Sequence, residues 1–109
     1  MLTPNALLKM VSLKTCYIML RSVVVPARIH EAMDDHHRWL YQLESEGKII
    51  LSGPTFLQDE SPDAGVTLFV AKDFEHAEAL AVRDPLVTSG AVTFQIRRWE
   101  LKEGILLAK

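Results

Sequence analysis

Residues 15–25, TCYIMLRSVVV, constrain the fold more than any other stretch: apolar and β-branched side chains fall on both parities of an extended chain, and Pro26 closes the run. A strand that is apolar on both faces must be covered on both faces. Residues 65–71, GVTLFVA, read the same way. Residues 91–101, AVTFQIRRWEL, place Val92, Phe94 and Ile96 on one side and Trp99 and Leu101 on the other. A short run at 49–51, ended by Ser52-Gly53-Pro54, completes four strands. Arg21 is the one charge on the first of them.

Two helical patterns separate these strands. Over residues 28–46, Ile29, Ala32, Met33, Leu40 and Leu43 share one face, with Glu31, Asp34, Asp35, Arg38, Gln42 and Ser45 opposite and Gly47 placed to close the helix. Over residues 74–83, Asp73 is placed as the cap and Phe74, Ala77, Leu80 and Ala81 form the stripe. The order strand, helix, strand, strand, helix, strand predicts an α+β, ferredoxin-like βαββαβ fold: a four-stranded antiparallel sheet with both helices on one face. Two helices cannot cover two faces. The bare face is therefore expected to meet the same face of a second subunit, giving a homodimer of the dimeric α/β barrel type.

Between the strands, residues 55–64, TFLQDESPDA, read as the longest irregular piece, a solvated connection or a lid. The tail 102–109 still carries Ile105, Leu106 and Leu107 and is expected to pack against the domain. Residues 1–14 form an N-terminal extension, with Thr3-Pro4 as the start of a short helix at 5–11 and Met10 as an alternative start. The domain itself spans 15–101.

At 109 residues the chain is one domain, and 49% hydrophobic against 24% charged residues is the profile of an ordinary soluble protein. A formal net charge of −2, with no basic run longer than Arg97-Arg98, leaves no electrostatic footprint for nucleic acid or an anionic membrane. The apolar start is interrupted by Lys9, Lys14 and Arg21. It supplies neither a signal-peptide core nor the ~20 residues of a membrane span. A lone cysteine, Cys16, in an apolar run points to a reducing compartment, and a cytoplasmic location is expected.

Two polar residues intrude on the apolar stripes. His36 lies in the middle of the first helix's buried face, where it is either a satisfied core histidine or part of a site. Asp84 takes the next position of the second stripe, seven residues after Ala77. Because Pro85 disfavours helix at the residue before it, Asp84 ends one helix and can cap the next turn, which Gly90 closes. A carboxylate has about four acceptor sites, so capping does not exclude serving a histidine as well.

The segments HRWLYQLESEGKIILSGP after His36, AEALAVRDPLVTSGAV, and IRRWEL, in that order and on those elements, make the chain resemble the YciI-like family, the YCII-related domain. The resemblance implies a small dimeric α+β barrel in which a helix histidine and the aspartate of the DP step form a dyad, oriented by the proline. Carried over, these are His36, Asp84 and Pro85. His37 stands one residue away, but is rotated about 100° off the stripe. The few activities associated with the family resemble eliminations or isomerisations of oxygenated, sometimes chlorinated, ring compounds.

A His–Asp dyad with no serine or cysteine nucleophile suits proton transfer, so the expected function is a lyase or isomerase, dehydrochlorinase-like, acting by general base on a small oxygenated metabolite. Arg21, Arg28, Ser52 and the Gly53 amide are the candidate donors for an anion developing on the substrate. No cofactor or metal is expected. His30, Asp34 and His37, spaced i, i+4, i+7 and sharing a face with Tyr41, read as solvated side chains rather than a metal site, and His36 cannot join them. The alternative is a non-catalytic dimeric barrel that binds a small molecule or serves as an accessory subunit.

Overall fold

The computed structural model describes residues 14–107; the expected helix at 5–11 and the alternative start at Met10 lie outside them. The elements are β1 (Thr15–Val23), α1 (Pro26–Ser45), β2 (Ile49–Phe56), β3 (Pro62–Phe69), α2 (Phe74–Ala81), the one-turn α3 (Pro85–Thr88) and β4 (Val92–Glu100). They form one antiparallel sheet in the order β2-β3-β1-β4, which is the ferredoxin-like arrangement.

Strand register sorts the side chains into two faces. Tyr17 pairs with Phe69, Met19 with Ile96 and Arg21 with Phe94, so these residues share one side of the pleat. Tyr17, Met19 and Phe69 pack there against Leu43 of α1 and Ala77, Leu80 and Ala81 of α2, forming the main core. Trp39 meets Phe69 edge-on, with ring centres 6.2 Å apart. Both long helices thus lie on one face. On the other face Ile18, Leu20, Val66 and Leu68 are half-buried, and Leu51 and Trp99 are exposed.

The helix ends follow their sequence signals. Pro26 occupies the first turn of α1, where a missing N–H costs nothing, and the Val24 and Val25 amides both donate to the Ala91 carbonyl, which fixes the exit from β1. At the other end Gly47 takes φ +71°, the Gly47 amide donates to Glu44 and the Lys48 amide to Leu43, a Schellman closure. Gly90, at φ +78°, closes α3 the same way, with Ala91 donating to the Leu86 carbonyl at 3.0 Å.

Three expectations are corrected. β2 does not stop before Ser52-Gly53-Pro54 but runs through them to Phe56, with register irregularities on either side. Because β2 is the sheet edge, Pro54 can sit in it without removing a needed donor. The long polar loop accordingly shrinks to a hairpin connection at 57–61. Leu57 donates to the Ser61 carbonyl, Glu60 takes φ +71°, and the Asp59 carboxylate accepts from the Ser61 amide. Its flank is pinned where the Ala64 amide donates to the Thr55 hydroxyl at 3.1 Å. Lastly, among the described residues of the tail Ile105 is fully exposed and Leu106 is exposed, and only Leu107 is half-buried.

Phe69 is fully buried at the centre of the core. Phe69→Ala is expected to cost about 3–5 kcal/mol, whereas Ile105→Ala should stay within about 0.5 kcal/mol of wild type. Urea unfolding of the two variants measures both.

Candidate functional site

α1 presents Ala32, His36 and Leu43 as its buried residues, so the imidazole stands where periodicity places it, at 8% exposure. Its neighbour His37 is exposed. Opposite His36 the chain leaves α2 at Ala81 and turns through Asp84, whose backbone is extended (φ −59°, ψ 122°), as a residue before proline must be. Asp84 is the N-cap of α3: its Oδ1 accepts from the Leu86 amide at 3.0 Å, while Pro85 takes the first helical position.

Oδ1 of Asp84 also lies 2.7 Å from His36 Nδ1. With an ionised carboxylate as partner, Nδ1 carries the hydrogen and donates, which leaves Nε2 as the free lone pair of a neutral ring. Nε2 has no hydrogen-bond partner among the described residues. The second oxygen, Oδ2, accepts from Arg21 Nε at 2.7 Å. Arg21 is 4% exposed and Asp84 fully buried, so a carboxylate and a guanidinium are paired inside the domain. Arg21 Nη1 donates to the Thr67 hydroxyl at 2.9 Å, and the Thr67 and Ser52 hydroxyls are 2.8 Å apart. A hydrogen-bonded chain therefore crosses the sheet from the edge strand to the helix: Ser52, Thr67, Arg21, Asp84, His36.

The charges in this chain set the ionisation of Asp84. Burial pushes the carboxyl up, but the His36 hydrogen bond, the charge of Arg21, the charge His36 carries whenever its ring is protonated, and the Leu86 amide together outweigh it and hold the group below the usual carboxylate range. Cys16, also fully buried, has its thiol pushed up by burial, which keeps it an inert apolar side chain.

Of the four donors expected from sequence, Arg21 and Ser52 join this chain. Gly53 stands next to Ser52 on β2, exposed and paired with Val66. Arg28 lies elsewhere. Its Nη1 donates to the Ser89 carbonyl at the end of α3 and sits over Gly90, where a Cβ would come within 2.9 Å of it. It borders a groove of about 310 Å³ between α1 and α3 that is also lined by Glu31, Asp35 and Pro85, but not by His36. His30, Asp34 and His37 are exposed along α1, and among the described residues no group of three His, Cys, Asp or Glu side chains is placed to hold a metal.

Two members of the network were not singled out in the sequence. Thr67 reads there as an ordinary β-branched strand residue. Gly65, which faces Arg21 across the β1–β3 pair, matters because a Cβ there would lie 3.3 Å from Arg21 Cδ. The available signal was Arg21 itself, since a charge on a two-sided apolar strand requires an acceptor nearby.

The model of the YCII-related domain matches residues 10–100. The chain belongs to the YCII-related domain family. No curated protein matches it. Among solved structures it is similar in fold to the 5-chloro-2-hydroxyhydroquinone dehydrochlorinase of Burkholderia phenoliruptrix AC1100, determined in complex with 2,5-dihydroxybenzoquinone. The TM-score is 0.57 at 19% identity, covering 77% of this chain and 93% of that one. A conserved protein from Methanosarcina mazei Go1 is similar at TM-score 0.54 and 16% identity, covering 82% of this chain and 94% of that one. Both likenesses support the YciI-like ferredoxin fold. Among the described residues no helix is long and apolar enough to cross a membrane.

The depressed Asp84 carboxyl has a signed consequence. A carboxyl whose folded pKa lies below its unfolded value of roughly 3.9 contributes stability that is present above that value and lost as pH falls through the folded one. Wild type should therefore lose unfolding free energy below about pH 4 more steeply than Asp84→Asn. At neutral pH the variant should be about 3–5 kcal/mol less stable, because Arg21 is left buried against a neutral amide. Urea midpoints across an acid pH series measure both effects; parallel curves would contradict the first, and coincident midpoints at neutral pH the second.

Proposed function

We propose that this protein is a small general-base enzyme, a lyase or isomerase of dehydrochlorinase-like type, in which His36 Nε2 removes a proton from carbon or oxygen of a small oxygenated metabolite. The observation that carries the reading is the His36 Nδ1 to Asp84 Oδ1 contact of 2.7 Å, with Nε2 left without a protein partner. Asp84 fixes the tautomer and stabilises the imidazolium that forms, and Pro85 holds Asp84 at the head of α3. The substrate becomes an anion as it gives up its proton. It then either expels a leaving group such as chloride or takes the proton back at another atom.

Donors for the developing oxyanion come from the same network. Arg21 Nη2 is buried and has no partner among the described residues, and the Ser52 hydroxyl and Gly53 amide stand at the exposed end of the chain of hydrogen bonds. Arg28 is left out of this role because it is engaged at the end of α3. The reading uses no metal or cofactor. A cytoplasmic location fits the free, buried Cys16.

The active form in this reading is a homodimer joined through the face of the sheet that carries no helix. Ile18, Leu20, Val66 and Leu68 line that face with the exposed Leu51 and Trp99, and pairing two such faces removes all six from water. Light scattering should give twice the chain mass for wild type, and Leu68→Glu should shift the population to monomer. A monomeric wild type at micromolar concentration would remove the dimer.

Proton abstraction is tested with 2,5-dihydroxybenzoquinone as probe, by following loss of its ring-proton signal in D₂O. The protein should accelerate exchange, and His36→Ala should slow it by roughly 10²-fold or more. Binding of the probe without accelerated exchange would favour the non-catalytic small-molecule-binding barrel instead.

A further inference from the structure

We propose that Arg21 is a positioning residue for the His36–Asp84 pair: it holds the Asp84 carboxylate in the orientation that the imidazole needs and cancels its charge. The inference deepens the general-base reading and rests on it, but its test is made on the resting protein. Failure here would leave the exchange experiment standing, and the reverse also holds.

Three strands and a glycine are committed to this one guanidinium. Arg21 leaves β1 on the helix-facing side and is 4% exposed. Its Nε donates to Asp84 Oδ2 at 2.7 Å, and Nη1 donates to Thr67 on β3 at 2.9 Å, where the Ser52 hydroxyl of β2 is 2.8 Å away. Gly65 gives the side chain room, since any Cβ there would meet Arg21 Cδ at 3.3 Å. Two fixed anchor points define the plane of the guanidinium. That plane in turn fixes which oxygen of Asp84 is free for His36.

Without Arg21, the Leu86 amide and His36 would both remain on Oδ1, and Oδ2 would be a buried oxygen with no donor. A carboxyl in that position turns or takes up a proton to satisfy itself, and either change loosens its grip on Nδ1. Charge points the same way. Arg21 and Asp84 form a neutral buried pair, so a neutral imidazole beside them leaves the interior uncharged. The positive charge that His36 gains on taking a proton can then be matched by the anion the substrate becomes. A lysine keeps the charge but cannot engage Asp84 and Thr67 with a rigid fork.

The test reads the His36 Nδ1–H proton by NMR, assigned by its absence in His36→Ala, together with the carboxyl titration of Asp84. Wild type should show a downfield, slowly exchanging Nδ1–H resonance. Arg21→Met should lose that resonance to exchange and raise the titration of Asp84, and Arg21→Lys should restore both in part. Gly65→Ala, which only displaces the arginine, should move both in the same direction as Arg21→Met by a smaller amount. If Arg21→Met does not fold, Arg21→Lys and Gly65→Ala carry the test. An unchanged resonance and titration in the folded variants would overturn the proposal.

Discussion

Asp84 is a carboxylate with no surface exposed to water, and the rest of the site exists on the condition that its charge is matched. An isolated buried carboxylate is too costly to keep ionised, and pairing is worthwhile only when geometry is good and the remaining lone pairs are satisfied. Here each oxygen has a defined role. Oδ2 takes the guanidinium of Arg21, and Oδ1 takes the imidazole of His36 and the first free amide of α3. The net effect is a carboxyl held below its usual range in spite of its burial.

That requirement reaches into each element of the fold. β1 must carry an arginine on its helix-facing side, β3 a hydroxyl at Thr67 and no side chain at Gly65, and α1 an imidazole in line with Ala32 and Leu43. The chain between α2 and β4 must break at a DP step, so that an extended residue delivers the carboxylate and proline starts the next turn. Arg28 and Gly90 serve the same end from outside, tying the end of α3 to α1. The apolar core of Tyr17, Met19, Phe69 and Leu43 holds these elements at their spacing.

The order of elements was legible in the sequence because strands and helices impose different periods, and the periods are clear in 15–25, 28–46 and 74–83. So were the positions of His36 and Asp84, since each is a polar residue on an apolar stripe and no periodic pattern explains either. Arg21 announced itself in the same way, as the lone charge on β1, but its partner did not. Which residues of β3 and β2 it reaches depends on strand register, a long-range property that no local window contains. Thr67 and Gly65 stayed hidden for that reason. The extent of β2 was misread because Ser52-Gly53-Pro54 is turn chemistry in most contexts and is compatible with a strand only at a sheet edge, a fact of topology. The tail was misread because Ile105 and Leu106 carry no information about what stands beside them.

The central claim is that Arg21, Asp84 and His36 act as one unit through the shared carboxylate. A double-mutant cycle on stability between Arg21→Met and His36→Ala measures this most directly, because both side chains bond to Asp84 through opposite oxygens. Coupling of about 0.5–3 kcal/mol between them is the predicted result. Additivity of the two single effects would mean that His36 and Arg21 are independent tenants of the core, and would contradict the account.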